Sequence, residues 1–150
     1  MAMLSTAHVS FTVEDLERSL EFYRDTLGMK LVARMERVGE DISRIVGFEN
    51  AHLRIAFLEL PRAGGMQLEL IEYVSPRGRP IDRDTCNPGS AHICFNVEDI
   101  PSAYEALRGR GVAFKSEPVP IQTGVNKGGY AVYFLDPDGN TLELVQRPKG

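Results

Sequence analysis

The sequence is poor in the residues that mark several classes of protein. It has two cysteines and no tryptophan among its 150 residues. Cys86 and Cys94 are too few for the disulfide scaffold of a small secreted protein, and they do not form a C-x-x-C motif. Acidic residues outnumber basic ones by 21 to 17, and the net charge of −4 argues against a nucleic-acid-binding surface. No apolar run approaches the roughly 20 residues of a membrane span.

The beginning of the chain also lacks a secretion signal. Met-Ala-Met-Leu-Ser-Thr contains neither a basic segment nor an apolar stretch, so we expect a cytoplasmic protein that binds neither nucleic acid nor a membrane. Hydrophobic residues make up 43% of the sequence. This share is sufficient for a core that needs no disulfide support.

An internal repeat organises the chain. Residues 7–24 and 91–108 share eight of 18 residues at a constant offset of 84, where chance would give about one. Leu-Glu-Leu also recurs, at 68–70 and at 142–144. The sequence therefore predicts a single domain made of two repeats: a first module at 7–73, a connector at 74–90 and a second module at 91–147.

Each half has the pattern of a β-α-β-β-β module. Asp15 and Asp99 are suited to cap helices over 16–27 and 100–108. Strand-like runs follow at 29–35, 53–60, 66–73, 112–115, 130–135 and 141–146, with hairpin turns at 60–65 and 136–140. We expect an α+β fold in which two tandem βαβββ modules form a curled mixed sheet around a metal-binding cavity. With the helices on one face of the sheet, the other face is expected to be open.

Two histidines and two glutamates occupy matched positions on the predicted open face. Because strand side chains alternate, apolar neighbours on the helix side direct His8, Glu69, His92 and Glu143 to the open side. The same alternation predicts five further residues on the open face that line the cavity: Ser10, Thr12, Gln67, Cys94 and Asn96. We expect some of them to support the ligand imidazoles, and Thr12, Gln67, Cys94 and Asn96 are the candidates to contact a substrate.

Two imidazoles and two carboxylates form a suitable ligand set for one divalent transition metal: Ni, Co, Zn, Mn or Fe. Four protein ligands leave positions for a substrate, as a catalytic centre requires. The alternative is that each histidine is a structural strand residue and each glutamate a solvated one. The matched recurrence of all four favours the metal.

Positive charge is concentrated in two loops. Arg77, Arg79 and Arg83 lie in the connector, and Lys127 precedes a glycine pair. These side chains would suit a substrate carboxylate or phosphate. For any one of them, solvated loop charge is the simpler interpretation.

Four motifs resemble those of the vicinal oxygen chelate superfamily, which includes glyoxalase I, methylmalonyl-CoA epimerase, extradiol dioxygenases, thiol transferases and bleomycin-binding proteins. They are H-V-x-F-x-V-x-D-L-x-x-S-x-x-F-Y-x-x-x-L-G at 8–28, L-E-L at 68–70, G-x-x-H-I-x-F-x-V at 89–97 and F-x-D-P-D-G-N-x-x-E-L at 134–144. The resemblance implies that His8, Glu69, His92 and Glu143 bind the metal, with Glu143 as the proton-transferring carboxylate and Glu69 as its counterpart.

A complete four-ligand set is closest to the isomerase and lyase branch, where an enediolate is stabilised on a small carbonyl or thioester substrate. The resemblance also implies a homodimer. Thr12 stands where bacterial glyoxalase I has an arginine for the glutathione carboxylate, so the sequence departs from that enzyme. The alternatives are an Fe(II) dioxygenase or thiol transferase, and a metal-free protein that binds an antibiotic or metabolite.

Overall fold

The computed structural model describes residues 3, 5–61 and 66–148. The chain divides into two compact units, Met1–Pro80 and Ile81–Gly150. Each unit contains one sheet of parallel and antiparallel strands with few helices, which confirms the predicted α+β class. Among the helices of the described ranges, none is sufficiently long and apolar to cross a membrane.

The first unit is a four-stranded sheet with the strand order β1-β4-β3-β2. Its strands β1 and β4 are parallel neighbours, and the other pairs are antiparallel. The elements in chain order are β1 (His8–Val13), α1 (Leu16–Leu20), β2 (Lys30–Val38), α2 (Glu40–Val46), β3 (His52–Glu59) and β4 (Gln67–Ser75).

The second unit repeats this plan with the order β5-β9-β8-β6, and a short strand β7 pairs with β8. Strands β5 and β9 are parallel, as β1 and β4 are. The elements are β5 (His92–Asn96), α3 (Ile100–Arg108), β6 (Ala113–Phe114), β7 (Val119–Pro120), β8 (Tyr130–Leu135) and β9 (Thr141–Gln146).

Both first helices of the repeat begin as the sequence predicts. The Asp15 carboxylate accepts a hydrogen bond from the Arg18 N–H at 2.9 Å, and Asp99 accepts one from the Ser102 N–H at 3.5 Å. These bonds satisfy N–H groups that have no partner inside a helix. Helix α3 therefore occupies the predicted range, 100–108.

The first helix of the chain differs from a regular α-helix in its second half. Instead of one α-helix over 16–27, α1 ends at Leu20 and a π-helical stretch continues over Glu21–Thr26. The Leu27 N–H donates to the Phe22 carbonyl at 3.0 Å, five residues back, which is the π-helical pattern. Gly28 then ends the helix at φ +75°, a conformation that favours glycine.

Two predictions about the modules are wrong. The segment between β2 and β3 contains a second helix, α2, and the segment after α3 contains two short strands where one was expected.

Helix α2 covers part of the face that the sequence predicts to be open. Ile42 of α2 packs with Leu53 and Ile55, whose side chains point to the opposite side from the first helix. An apolar residue on a short surface helix needs such a partner to be buried.

The hairpin between β8 and β9 is held by the Asp-Pro-Asp-Gly-Asn sequence. One Asp136 carboxylate oxygen accepts from the N–H groups of Asp138 and Asn140, at 2.9 and 2.7 Å, and the other accepts from the Asn140 amide at 2.7 Å. Gly139 takes φ +79° in this turn. The hairpin therefore fixes the register that places Tyr133 opposite Glu143. The matching turn predicted at 60–65 falls largely on 62–65, outside the described residues.

Candidate functional site

The first His–Glu pair is formed by the parallel strands β1 and β4. Ser10 is the register partner of Glu69, so His8, Ser10 and Glu69 project from the same face of the sheet. The His8 Nε2 atom lies 3.3 Å from Glu69 Oε2. The His8 side chain is 44% exposed, whereas that of Glu69 is 11% exposed. The pair thus offers a nitrogen and an oxygen donor side by side.

The second unit contains the equivalent pair on β5 and β9. Cys94 is the register partner of Glu143, and the His92 Nε2 atom lies 3.2 Å from Glu143 Oε2. The His92 side chain is 38% exposed and that of Glu143 is 18% exposed. The structure thus brings the four sequence-predicted ligands together as two pairs, each inside its own unit.

An aromatic ring that the sequence motifs do not predict lies beside each histidine. Phe57 of β3 meets His8 edge-on with a ring-centre distance of 5.7 Å, and Tyr133 of β8 lies 5.3 Å from His92. Each aromatic residue is the register partner of the glutamate in its pair. These residues face Glu69 and Glu143 across a hairpin, so their positions follow from the strand register, which residue types alone do not specify.

The second residue after each histidine contacts the glutamate. The Ser10 hydroxyl donates a hydrogen bond to Glu69 Oε2. In the second unit, burial, together with the hydrogen bond and the charge of Glu143, raises the pKa of the Cys94 thiol to about 12. Burial is also the main reason that the pKa of Tyr133 is raised, followed by the charge of Glu143. Cys94 and Tyr133 are therefore neutral hydrogen-bonding groups at neutral pH, and Cys94 is not an activated nucleophile.

The other predicted substrate-contacting residues divide by position. Thr12 and Asn96 are exposed and Gln67 is half-buried, and each shares the face of the histidine in its own unit. The Arg77 guanidinium lies 3.9 Å from Glu72, on the helix-covered face. Arg79 and Lys127 are exposed loop residues.

Arg83, also in the predicted connector, has a structural contact. Its guanidinium donates to the Asp138 carbonyl at 2.9 Å and so anchors this segment to the β8–β9 hairpin. A guanidinium that is already bonded in this way is less available for a substrate anion.

An apolar wall lies next to the first pair. Ile42, Leu53 and Ile55 form a buried cluster, and Phe57, Ile71 and Tyr73 pack against it. Phe57 is the residue that contacts both this cluster and the His8 ring. The face around Glu69 is therefore partly apolar, whereas Tyr133 supplies a hydroxyl near Glu143.

The donor geometry of both pairs is compatible with a bound divalent metal. Two donor atoms that each lie about 2.1 Å from one ion are about 3.0 Å apart at a right angle and about 3.4 Å apart at the tetrahedral angle. The observed separations of 3.3 and 3.2 Å fall in this range. Within the described ranges, however, no three His, Cys, Asp or Glu side chains gather into one metal-holding group. Each unit by itself provides two of the four predicted ligands.

A third His–Glu contact serves as an internal comparison. His52 Nε2 contacts Glu36 Oε1, and Arg54 lies 3.9 Å from the same carboxylate. His52 and Arg54 lie on the opposite face of β3 from Phe57. The hydrogen bond from His52 is the main reason that the pKa of Glu36 is lowered. The nearby Arg54 guanidinium balances part of the charge of this carboxylate.

The sequence model of one family, described as the Glyoxalase/Bleomycin resistance protein/Dioxygenase superfamily, matches residues 5–144. The chain belongs to this superfamily. The match includes all four residues of the two His–Glu pairs, and it confirms the resemblance seen in the motifs.

Two relatives within the superfamily are named as enzymes. A 2-epi-5-epi-valiolone epimerase of Actinomyces sp. is 34% identical over 95% of this chain and 79% of its own length. A probable lactoylglutathione lyase of Synechocystis sp. is 31% identical over 93% of this chain and 92% of its own.

A solved structure supports the fold. The crystal structure of a glyoxalase family protein from Bacillus cereus has a TM-score of 0.85, with 99% of this chain and 97% of that chain covered. The sequence identity is 22%, so this likeness concerns the fold alone.

Proposed function

We propose that this chain is a divalent-metal-dependent isomerase or lyase of the glyoxalase I or methylmalonyl-CoA epimerase kind, which acts on a small carbonyl or thioester substrate. The observation that carries the proposal is the matched pair of Nε2–Oε2 separations, 3.3 Å for His8 and Glu69 and 3.2 Å for His92 and Glu143. The names of the relatives, an epimerase and a lyase, support the reaction class.

In this proposal one Ni, Co, Zn, Mn or Fe ion is held by His8, Glu69, His92 and Glu143. When bound, the ion supplies Lewis acidity toward a substrate carbonyl and so stabilises the negative charge of an enediolate. The proposal requires both pairs to share the ion, either within one chain or between the chains of a homodimer. The two carboxylates balance the charge of a divalent ion, which a pair of neutral imidazoles alone would not do.

The proton transfer is assigned to Glu143, with Glu69 as its counterpart. Glu143 takes a proton from the carbon next to the substrate carbonyl. In an isomerase or lyase reaction it delivers the proton to the neighbouring carbon, whereas in an epimerase reaction a proton has to reach the opposite face of the same carbon. Its surroundings support this role, because its neighbours Cys94 and Tyr133 are neutral hydrogen-bonding groups. Thr12, Gln67 and Asn96 are proposed to contact the substrate, and Arg79 and Lys127 are the candidates for an anionic substituent.

The test of the metal is its amount in protein purified without a histidine tag. We expect about one transition-metal ion per set of four ligands by plasma mass spectrometry, and its loss in the double variant His8→Ala/Glu143→Ala. The matched control is His52→Ala/Glu36→Ala, which removes the third His–Glu contact and should retain the metal.

Other outcomes of this experiment separate the alternatives. No metal above background, even after incubation with Ni, Co, Zn, Mn or Fe, would contradict the proposal and favour a protein that binds an antibiotic or metabolite without turnover. Iron dependence with oxygen uptake would instead indicate a dioxygenase.

The substrate class has a separate assay. Small α-hydroxyketones, thiol adducts of α-ketoaldehydes and branched thioesters are incubated in D₂O with the metal-loaded enzyme. Proton NMR follows both deuterium at the carbon next to the carbonyl and conversion to product, and either signal reports enediolate formation. Absence of both signals with all three groups in metal-loaded protein would reject the proposed reaction while leaving the metal site intact.

A further inference from the structure

The two His–Glu pairs differ in the side chain that holds each glutamate. Ser10 and Cys94 occupy equivalent positions of the repeat, two residues after His8 and His92. Each is the register partner of the glutamate in its own unit. The repeat therefore keeps the position and changes the donor atom from oxygen to sulfur.

This change alters how firmly each carboxylate is held. The Ser10 hydroxyl donates to Glu69 Oε2, and an O–H group bonded to a carboxylate is a strong, charge-assisted donor. A thiol is a weak donor at a longer contact distance.

We propose that Ser10 and Cys94 are positioning residues that make the two carboxylates unequal: Ser10 keeps Glu69 fixed as a permanent metal ligand, and Cys94 leaves Glu143 free to exchange. This inference rests on the proposed function. A glutamate that serves both as ligand and as base has to leave the ion and return in each turnover, so a weak partner suits Glu143 and a strong one suits Glu69.

The experiment measures the affinity of the metal-free full chain for Co²⁺ and Zn²⁺, by competition with a chelator and without any substrate. We expect Ser10→Ala to weaken binding about 10–100-fold and Cys94→Ala to change it by less than about 3-fold. Ser10→Thr keeps a hydroxyl and should restore binding to within about 3-fold of the wild type. Circular dichroism checks that the variants are folded.

A second measurement tests exchange directly. Cys94→Ser places the stronger donor next to Glu143, so we expect Co²⁺ to be released to the chelator more slowly than from the wild type. The same variant should also turn over more slowly. A merely structural role of Cys94 would not slow the release of the metal.

The outcomes distinguish this inference from the function on which it rests. Equal losses of affinity in Ser10→Ala and Cys94→Ala, or no loss in Ser10→Ala, would overturn the inference while the wild type still binds Co²⁺. A wild-type chain that binds neither ion would overturn both the inference and the proposed function.

Discussion

The two units have the same main strand order, but their first helices are buried to different extents. In the first unit, Leu16, Leu20 and Tyr23 of the first helix and its π-helical continuation are fully buried against the sheet. In the second unit, Ile100 is the one buried residue described for α3. The duplicated plan therefore retains the register and the His–Glu separation, and it leaves the packing of each helix free to differ. The geometry of each His–Glu pair depends on the register of its strands. The burial of each helix depends instead on the size of the side chains between the helix and the sheet.

The open faces differ as well. In the first unit, α2 and its cluster cover part of this face, and the ring next to the histidine is Phe57. In the second unit, the equivalent ring is Tyr133. The face around Glu69 thus carries more apolar groups, whereas the face around Glu143 carries the Tyr133 hydroxyl. This asymmetry lets a duplicated unit offer two chemically distinct carboxylates.

The largest expected effect compares the two glutamates. Glu143→Gln keeps the shape of the side chain but cannot accept the substrate proton, so we expect deuterium exchange to fall by about 10²–10⁴-fold. Glu69→Gln should lower Co²⁺ affinity more than Glu143→Gln does. Retention of more than a tenth of the exchange rate by folded, metal-loaded Glu143→Gln would remove Glu143 as the base.

The next comparison concerns the burial of the first helix in each unit. Leu20→Ala removes a fully buried side chain and should lower the free energy of unfolding by about 3 kcal/mol, whereas Leu107→Ala on the half-buried face of α3 should lower it by about 1 kcal/mol. Urea denaturation followed by circular dichroism measures both. Leu60→Ala, at an exposed leucine, is the control and should change it by less than about 0.5 kcal/mol. Equal losses in the two helices would contradict the difference in burial.

A smaller effect concerns the start of each helix. Glu72 accepts from the Leu16 N–H at 3.2 Å, and Gln146 accepts from the Ile100 N–H at 2.8 Å. Glu72 is buried and lies within 3.7 Å of Arg54. We expect Glu72→Ala to cost about 2 kcal/mol and Gln146→Ala about 1 kcal/mol, measured by urea denaturation.

A matched variant separates the two contributions of Glu72. Glu72→Gln keeps an acceptor for the Leu16 N–H but removes the charge next to Arg54, so its loss should lie between zero and that of the alanine variant. A loss equal to that of Glu72→Ala would show that the charge, and not the helix cap, accounts for the effect.

The smallest expected effect compares the N-caps. Asp15→Ala should lower the free energy of unfolding by about 1 kcal/mol, and Asp99→Ala by about 0.5 kcal/mol, because the Asp99 contact is longer, at 3.5 Å against 2.9 Å. Thermal unfolding with Asp15→Asn, which retains a cap oxygen, provides the control. A larger loss at Asp99 would mean that its bond with the Ser102 hydroxyl, at 2.6 Å, is the more important one.

The positions of most strands along the chain could be predicted because each element occurs twice in the repeat. Strands β8 and β9 have the predicted ends, and His8, Glu69, His92 and Glu143 share the faces that alternation predicts. Residue alternation is a local property of an extended chain, so a single sequence carries it.

The elements that were missed depend on non-local contacts. Helix α2 has only seven residues, and Ile42 is buried because β3 supplies Leu53 and Ile55 beneath it. A helix of this length is not stable without such packing, and its sequence contains no sustained periodicity. The π-helical turn after Leu20 is equally invisible in the apolar spacing, because the spacing of Leu16, Leu20 and Tyr23 suits an α-helix as well.

The sequence by itself determined the duplication, the α+β class, the helix caps and the identity of the four candidate ligands, because these follow from local spacing and from comparison of one half with the other. Only the tertiary structure decided which side chains meet. It brought Ser10 to Glu69, Phe57 to His8 and Tyr133 to His92, and it turned Arg77 toward Glu72. These contacts depend on strand register across hairpins and parallel crossovers, which residue types alone do not specify.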